Sequence, residues 1–200
     1  MAMETVKKNL EDHGFTVKVF DTAAEAADYL DAAIDGTSVS FGGSVTIRDM
    51  GLYERLAAHN RAVWHMRPDV TDKMTEIRKA QHTNVYVTSV NALAETGEII
   101  NIDGIGNRVA GSLFGRQKVY FIVGKNKLAP TYDEAMWRAR NIAAPKNAQR
   151  LGKNTPCAVK ADRCYNCKSP DRICRGVAIL WEPLTGQEAE VILVDEELGF

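Results

Sequence analysis

Four cysteines near the end of the chain have the spacing of a metal site. Cys157, Cys164, Cys167 and Cys174 form the pattern C-x6-C-x2-C-x6-C within 18 residues. A Cys-x-x-Cys pair can place two thiolates on one metal ion, and two further thiolates complete a tetrahedron. Basic residues lie between and beside these cysteines, and their charge offsets that of a thiolate cluster. The pattern therefore predicts a metal site with four cysteine ligands.

The number of Cys-x-x-Cys pairs bears on which metal would bind. Four thiolates suit zinc or an iron–sulfur cluster. Zinc ribbons have two such pairs and this chain has one, so we favour a [4Fe–4S] cluster over zinc. A redox-active pair of Cys164 and Cys167 is the main alternative, and four unlinked thiols are the other.

The stretch 101–108, Asn-Ile-Asp-Gly-Ile-Gly-Asn-Arg, follows an apolar run and precedes a helical pattern. Gly104 and Gly106 begin a dinucleotide-binding fingerprint, but Val109 stands where its third glycine should be. The acidic residue that would hold a ribose about 20 residues further on is also missing, because 125–127 reads Lys-Asn-Lys. We therefore expect no NAD.

The same stretch suits a small carboxylate or phosphate ligand. Free amides at the start of a helix favour negative charge, and the Arg108 guanidinium can bind such a group with two hydrogen bonds. A tight turn that Asp103 caps is the alternative. The residues predicted to bind the ligand are Gly42, Gly43, Ser44, Asn91, Asp103, Gly104, Gly106, Asn107, Arg108, Asn126 and Lys127.

These residues follow several predicted strands. In a parallel sheet the carboxyl ends of the strands share one edge, and ligands bind in the crevice there. We therefore expect the junctions at 42–44, 91–95, 103–108 and 125–127 to converge on one cleft. Glu95, in a short polar crossing, is a candidate general base or nucleophile, with a solvated turn carboxylate as the alternative.

The elements that would position these residues alternate between strands and helices. Strand-like runs are predicted at 15–20, 37–41, 62–66, 84–90, 98–102 and 118–123. Thr22–Glu25 and Thr131–Glu134 are capping boxes that start helices, and Pro145 is expected to interrupt the second of these. The alternation indicates an α/β fold with a largely parallel sheet flanked by helices.

The α/β alternation ends at about residue 152, where a segment rich in Cys, Lys, Arg and Pro begins. We assign 1–151 to an α/β core, which opens with a helix over 2–13. We assign 152–200 to a Cys-rich loop and closing strands of the same domain. The strands at 177–181 and 190–194 are expected to form a closing hairpin or a sheet edge.

Charge and hydropathy exclude several classes of protein. The formal net charge of −1 gives no overall field that would attract nucleic acid or an anionic membrane. No apolar run approaches the roughly 20 residues of a membrane span, and the first residues lack the apolar region of a signal peptide. We expect a cytoplasmic protein, and disulfides are rare in that compartment. Four histidines show no ligand spacing and are expected to be ordinary surface or helix-end residues: His13, His59, His65 and His82.

Several motifs together resemble the lactate-utilization (LUD) domain family, which includes lactate utilization protein C. They are FGGS at 41–44, TSVNA at 88–92, NIDG-x-GNR at 101–108 and VG-x-NK at 123–127. Three later motifs resemble a single-domain, cysteine-bearing branch of the family. They are AAP-x-NA at 143–148, TPC at 155–157 and C-x2-C-x-SP-x-RIC at 164–174.

The resemblance implies a fold like that of the NagB, ribose-5-phosphate isomerase and CoA-transferase superfamily. It also implies a role in oxidising lactate, or a related 2-hydroxy acid, to pyruvate together with iron–sulfur proteins. Two alternatives stay open. One is an enzyme of the CoA-transferase or sugar-phosphate isomerase type that uses Glu95. The other is a non-catalytic module whose cysteines sense metal or redox state. A homo-oligomer also stays open.

Overall fold

The computed structural model describes residues 3–200 and has nine α-helices in that range. They are α1 (Met3–Asp12), α2 (Ala23–Ala33), α3 (Val45–Asp49), α4 (Leu52–Ala57), α5 (Lys73–Ala80), α6 (Asn107–Leu113), α7 (Tyr132–Arg138), α8 (Ala144–Arg150) and α9 (Pro156–Lys160). A 3-10 turn covers Lys125–Lys127 and a π-helical turn covers Ala139–Ala143. The helix predicted over 2–13 is observed as α1, and Ala2 lies outside the described residues.

Ten strands in the same range form two sheets. They are β1 (Thr16–Phe20), β2 (Ser38–Phe41), β3 (Arg61–Val63), β4 (Val85–Ser89), β5 (Ala92–Ala94), β6 (Ile99–Asp103), β7 (Lys118–Gly124), β8 (Leu128–Ala129), β9 (Gly176–Leu180) and β10 (Glu188–Val194). The main sheet has the order β1-β10-β7-β4-β2-β3, and every neighbouring pair in it is parallel. The predicted α/β fold with a largely parallel sheet is confirmed.

The second sheet has the order β8-β5-β6-β9. β5 and β6 pair antiparallel, and so do β6 and β9. The prediction of a closing hairpin is wrong, because β10 lies inside the main sheet between β1 and β7, whereas β9 lies at the edge of the second sheet. Every residue of β10 after Glu188 is buried, as expected of a strand covered on both faces.

The two faces of the main sheet are filled by alternate residues of the same strands. Val87 and Ile122 pack on one side with α2, whereas Tyr86 and Phe121 pack on the other side with α1. This follows from the two-residue period of a strand, which points successive side chains to opposite faces. Helices therefore cover both faces and leave the strand ends open.

Local sequence signals explain most helix starts. Thr22 accepts a hydrogen bond from the Glu25 N–H, and the Glu25 carboxylate accepts one from the Thr22 N–H, as the capping box predicts. Pro145 is expected to interrupt the helix that Thr131–Glu134 starts, and the regular α-helix does break directly before it, where the π-helical turn separates α7 from α8. Proline is tolerated there because it occupies the first turn of α8, where its missing N–H costs no regular α-helical bond.

The carboxyl ends of the parallel strands meet at one edge of the main sheet. β2 is followed by Gly42–Ser44, β3 by Trp64 and His65, β4 by Val90 and Asn91, and β7 by Lys125–Lys127. Because the strands are parallel, all of these junctions face the same crevice. Within residues 3–200, no helix is long and apolar enough to span a membrane.

Candidate functional site

A cleft of about 490 Å³ lies at this edge of the sheet, and a small chamber of about 30 Å³ adjoins it. The two cavities share Gly43, Asn91, Arg108 and Asn147 in their walls. A volume of about 30 Å³ holds roughly one water molecule or one carboxylate oxygen. The cleft is therefore large enough for a small organic molecule, and the chamber for one of its polar groups.

Positive charge dominates the walls of the cleft. Six basic side chains line it, against two carboxylates. The six are Lys73, Arg108, Arg150, Lys153, Arg172 and Arg175, and the two are Asp103 and Asp171. Since the whole chain has a formal net charge of −1, this excess is local. A concave wall lined by one sign of charge raises the local concentration of ions of the opposite sign.

Arg108 is the basic residue that lines both cavities. Its guanidinium donates to the Gly43 carbonyl, and its Nε is buried with no hydrogen-bond partner. None of the ion pairs within residues 3–200 involves Arg108. A buried charged group without a full set of partners is costly, so this guanidinium is poised to bind an anion.

Asp103 has a different position from the one expected of a ligand-binding residue. Its carboxylate accepts from the N–H groups of Gly104, Ile105, Arg108 and Val109. These four N–H groups are therefore not free to hold a ligand, contrary to the expectation for this loop, although Asp103 itself lines the cleft. The alternative, a tight turn capped by Asp103, describes the loop. The capped turn fixes the backbone of Arg108 and so directs its side chain.

The glycines and Asn107 of this loop shape the wall of the cleft. Gly106 has a φ of 94°, which glycine adopts at low cost, and it begins α6. A Cβ on Gly104 would lie 2.8 Å from the Ile173 carbonyl oxygen. Only glycine therefore lets the segment 161–175 between α9 and β9, which we call the cysteine segment, approach here. Asn107 lines the cleft.

The junction after β2 forms the adjoining part of the wall, where the Gly43 carbonyl accepts from Arg108. A Cβ on Gly42 would lie 2.6 Å from the Thr88 hydroxyl, and one on Gly43 would lie 3.2 Å from His65 Nε2. Ser44 is the N-cap of α3, as predicted, because its hydroxyl accepts from the Ile47 N–H at 3.3 Å. Gly43 and Ser44 line the chamber, so the backbone there can approach a ligand closely.

Lys127 lies beside the chamber and is only 2% exposed. Its Nζ donates to the Ser89 hydroxyl at 2.5 Å and to the Thr46 hydroxyl at 2.9 Å. Burial lowers the pKa of Lys127 to about 7, and the nearby Arg108 and Arg138 guanidinium groups add to the shift. At neutral pH the amine is therefore partly uncharged.

The two predicted asparagines mainly hold the strand-end loops together. Asn91 Oδ1 accepts from the Ile102 N–H at 2.6 Å, and Asn126 Oδ1 accepts from the Leu198 N–H at 3.0 Å. Arg138 donates to the main-chain carbonyls of both asparagines, at 2.5 Å and 2.8 Å. Sequence analysis missed Arg138, because its position just before a π-helical turn, a feature common at functional sites, is visible only in the structure.

His65 also belongs to the cleft, although the sequence suggested an ordinary surface or helix-end residue. Burial lowers the pKa of its imidazole, and the positive charges of Lys73 and Arg108 lower it further. A neutral imidazole can donate and accept hydrogen bonds. The sequence predicts that His65 lies inside a strand over 62–66, whereas β3 ends at Val63 and leaves His65 at the same edge of the sheet as the other junctions.

Glu95 lies apart from both cavities. The segment after β4 is not a polar crossing but the buried strand β5, and Glu95 follows it on the turn to β6. Its N–H donates to the Ala129 carbonyl, and its carbonyl accepts from Asn9 on α1. The hypothesis of catalysis by Glu95 therefore gains no support from the geometry.

The cysteine segment runs without regular structure from the end of α9 to β9. Arg172 donates to Cys174 Sγ at 3.3 Å, and this bond together with the charges of Cys174, Cys167 and Cys164 raises the pKa of Arg172. Cys157 lies on α9, 3.3 Å from the Thr155 hydroxyl. Within residues 3–200, no three His, Cys, Asp or Glu side chains are arranged to hold one metal ion.

The Cys164–Cys167 turn nevertheless has the donor chemistry that a metal-bound thiolate needs. Asn166 has a φ of 46°, a left-handed conformation, and its N–H points at Cys164 Sγ at 3.4 Å. Arg140 approaches the same sulfur at 3.8 Å. N–H donors aimed at sulfur stabilise the negative charge of coordinating thiolates. The donor set therefore fits a thiolate-bound metal, which would draw the cysteines together.

The cysteine segment also forms part of the cleft. Arg175 N–H donates to the Asp103 carbonyl at 2.9 Å, where β9 pairs with β6. Arg172 and Ile173 line the cleft. Arg172 thus contacts a cysteine sulfur while facing the ligand cavity, and it physically links the two candidate sites.

The fold and the site define a parallel α/β protein with a cation-lined cleft at the carboxyl edge of its sheet. The profile of the LUD domain matches residues 3–194, so the chain belongs to the LUD domain family. The resemblance of the sequence motifs to this family is thereby confirmed.

A solved structure shares the fold of this chain along almost its full length. A DUF162 family protein from Deinococcus radiodurans is 16% identical, with 96% of this chain and 95% of that chain covered and a TM-score of 0.57. Ribose 5-phosphate isomerase from Plasmodium falciparum is 12% identical over 55% of this chain and 54% of that chain, with a TM-score of 0.30, too low to carry an argument. No curated protein matches the sequence.

Proposed function

We propose that this LUD-domain chain acts in the cytoplasm as a subunit that binds lactate, or a related 2-hydroxy acid, for oxidation to pyruvate with iron–sulfur partner proteins. The observation that carries the proposal is the Arg108 guanidinium, which lines both cavities and has no carboxylate partner within residues 3–200. Membership of the LUD family supports the choice of acid. The four-cysteine segment supports placing the chain in a single-domain, cysteine-bearing branch of this family.

The geometry gives each group in the cleft a role. The Arg108 guanidinium would hold the carboxylate with charge-assisted hydrogen bonds. The small chamber would take one oxygen of the ligand, beside Lys127. His65 faces the cleft and is held neutral by burial and by nearby positive charge, so it could accept the proton of the 2-hydroxyl group.

Equilibrium binding to the purified protein tests this proposal. We expect lactate and pyruvate to bind in isothermal titrations at low ionic strength, and the affinity to fall as salt is added, because the contact is between charges. Lactamide has nearly the same shape without the negative charge, and we expect it to bind far more weakly. Equal binding of lactate and lactamide, or no binding of either acid, would contradict the proposal.

A phosphate-bearing acid is the second candidate ligand. The cleft holds about 490 Å³ and six basic residues, which is more space and charge than lactate alone needs. Addition of inorganic phosphate to the same titration separates the candidates. Phosphate that displaces pyruvate shares its site, whereas phosphate that binds alongside pyruvate occupies basic residues of the cleft other than Arg108.

We also propose that Cys157, Cys164, Cys167 and Cys174 bind a [4Fe–4S] cluster, which would supply one-electron transfer beside the cleft. Protein purified without oxygen is then expected to be brown and to contain about four iron and four sulfide ions per chain. Cys167→Ser should lose most of this iron, whereas Ser169→Ala in the same segment should retain it. One zinc ion per chain would preserve a metal site but overturn electron transfer, and metal-free protein would overturn both.

A further inference from the structure

Lys127 is a buried amine without an opposite charge beside it. Both acceptors of its Nζ are neutral hydroxyl groups, Ser89 on β4 and Thr46 on α3. None of the ion pairs within the described part of the chain involves Lys127. A buried lysine that serves only to stabilise the fold is normally paired with a carboxylate. Another role is therefore indicated.

The charged side chains that act on Lys127 are cations, and Phe200, which lines the same chamber, accepts from Arg138 through its main-chain oxygen at 3.4 Å. Arg108 on α6 and Arg138 on α7 both lower its pKa, in addition to the effect of burial. The segment around Gly199 covers its remaining side. Desolvation and a neighbouring positive charge are the two conditions that turn a lysine into a nucleophile at neutral pH, because both favour the uncharged amine.

The position of Lys127 also suits a reaction with a bound acid. Lys127 and Arg108 both line the chamber, and Arg108 also lines the larger cleft. An acid whose carboxylate is bound by Arg108 can therefore direct its adjacent carbon toward the chamber. The chamber has space for about one polar atom, such as a carbonyl oxygen.

We propose that Lys127 forms an imine with a small 2-oxo acid whose carboxylate is bound by Arg108. The lone pair of Nζ adds to the 2-carbonyl carbon, and the carbonyl oxygen takes up a proton as the amine loses one. The resulting carbinolamine loses water and becomes the imine. The reaction consumes one amine and one carbonyl group and releases one water molecule, and it needs no oxidant. The proposal rests on the function proposed above, because it requires an acid in the cleft.

Reductive trapping on the full chain tests the inference. The protein is incubated with pyruvate and sodium cyanoborohydride, which reduces imines to stable secondary amines, and the adduct is located by peptide mass spectrometry. We expect one adduct per chain, at Lys127. Lys125 is the matched control within the same protein, because it is exposed and paired with Asp195 at 3.1 Å. Adducts spread over exposed lysines such as Lys125, or no adduct at all, would overturn the inference.

The pH dependence of trapping at Lys127 provides an independent test of the imine. Only the uncharged amine attacks, and the pKa of Lys127 is lowered to about 7. With the reductant in excess, so that attack by the amine limits the rate, we therefore expect trapping at Lys127 to accelerate as the pH rises through about 7 and then to level off. Trapping at an ordinary lysine should continue to accelerate toward pH of about 10. A Lys127 profile that follows the ordinary one would overturn the inference.

Two outcomes separate this inference from the proposed function. If pyruvate binds in a titration but no adduct forms, the imine is excluded and the proposed function stands. If neither pyruvate nor lactate binds, the proposed function fails, and the imine with it. Lactate has no carbonyl group and cannot form an imine, so we expect it to protect Lys127 from trapping by competition.

Discussion

Arg108→Gln is expected to weaken pyruvate and lactate binding by at least about thirtyfold, which corresponds to about 2 kcal/mol. The physical reason is the loss of a charge-assisted, two-bond contact with the carboxylate, in a wall where the guanidinium has an unpartnered Nε. The fold should remain, because the Arg108 main chain is held by the Asp103 carboxylate independently of its side chain. Isothermal titration measures the affinity, and urea unfolding checks the fold.

Two further variants make the Arg108 result specific. Arg61→Gln removes an exposed arginine at the start of β3, at the opposite end of the sheet, and should leave the affinity unchanged. Arg108→Lys keeps the charge but not the planar fork, so an intermediate affinity is expected. If Arg108→Gln and Arg61→Gln weaken binding equally, the effect is one of net charge and Arg108 is not the binding residue.

Glu190→Ala is expected to lower the free energy of unfolding by about 3–5 kcal/mol. The Glu190 side chain is 2% exposed, and its carboxylate pairs with Lys118 Nζ at 2.7 Å and accepts from the Tyr29 hydroxyl at 2.5 Å. The pKa of Tyr29 is raised to about 12 by burial first and by its hydrogen bond to this carboxylate second. Removing Glu190 leaves the partly buried Lys118 ammonium without its close partner.

Glu188→Ala is the matched control for this prediction. Glu188 lies on the same strand and approaches the same Lys118, but at 3.7 Å and with a side chain that is 77% exposed. Its removal should cost less than about 1 kcal/mol, as is usual for solvated ion pairs. Urea unfolding of the two variants measures the difference. Equal losses for both would show that burial does not set the strength of these contacts.

The strand ends show how far sequence reasoning could go. Alternation of strands and helices predicted a parallel sheet, and a parallel sheet predicted that Gly42–Ser44, Asn91 and Lys127 would lie at one edge. These inferences succeeded because they depend on local periodicity and on a general property of parallel sheets. His65 escaped the same rule, because the strand predicted over 62–66 contains it and only the shorter observed β3 leaves it at the strand end.

Other features depend on contacts between distant parts of the chain. The insertion of β10 between β1 and β7 could not be inferred, because an apolar strand near the end of a chain suits an edge or an interior position equally. Asp103 and the loop amides were both identified as ligand groups. The structure pairs them with each other, which composition and spacing cannot distinguish from pairing with a ligand.

The charge of the cleft is also a product of the fold. Arg150 comes from the end of α8 and Lys153 from the turn after it, whereas Arg172 comes from the cysteine segment and Lys73 from α5. They are far apart in sequence, and the net charge of −1 conceals their convergence. Together they give the cleft a local excess of positive charge beside the cysteine segment.

A crystal structure of the protein with bound pyruvate tests the central claim most directly. We expect the carboxylate on the Arg108 guanidinium, in the wall between Gly43 and Asn91, with the 2-oxo group directed toward Lys127. Pyruvate bound elsewhere, with Arg108 still bonded only to the Gly43 carbonyl, would contradict the claim.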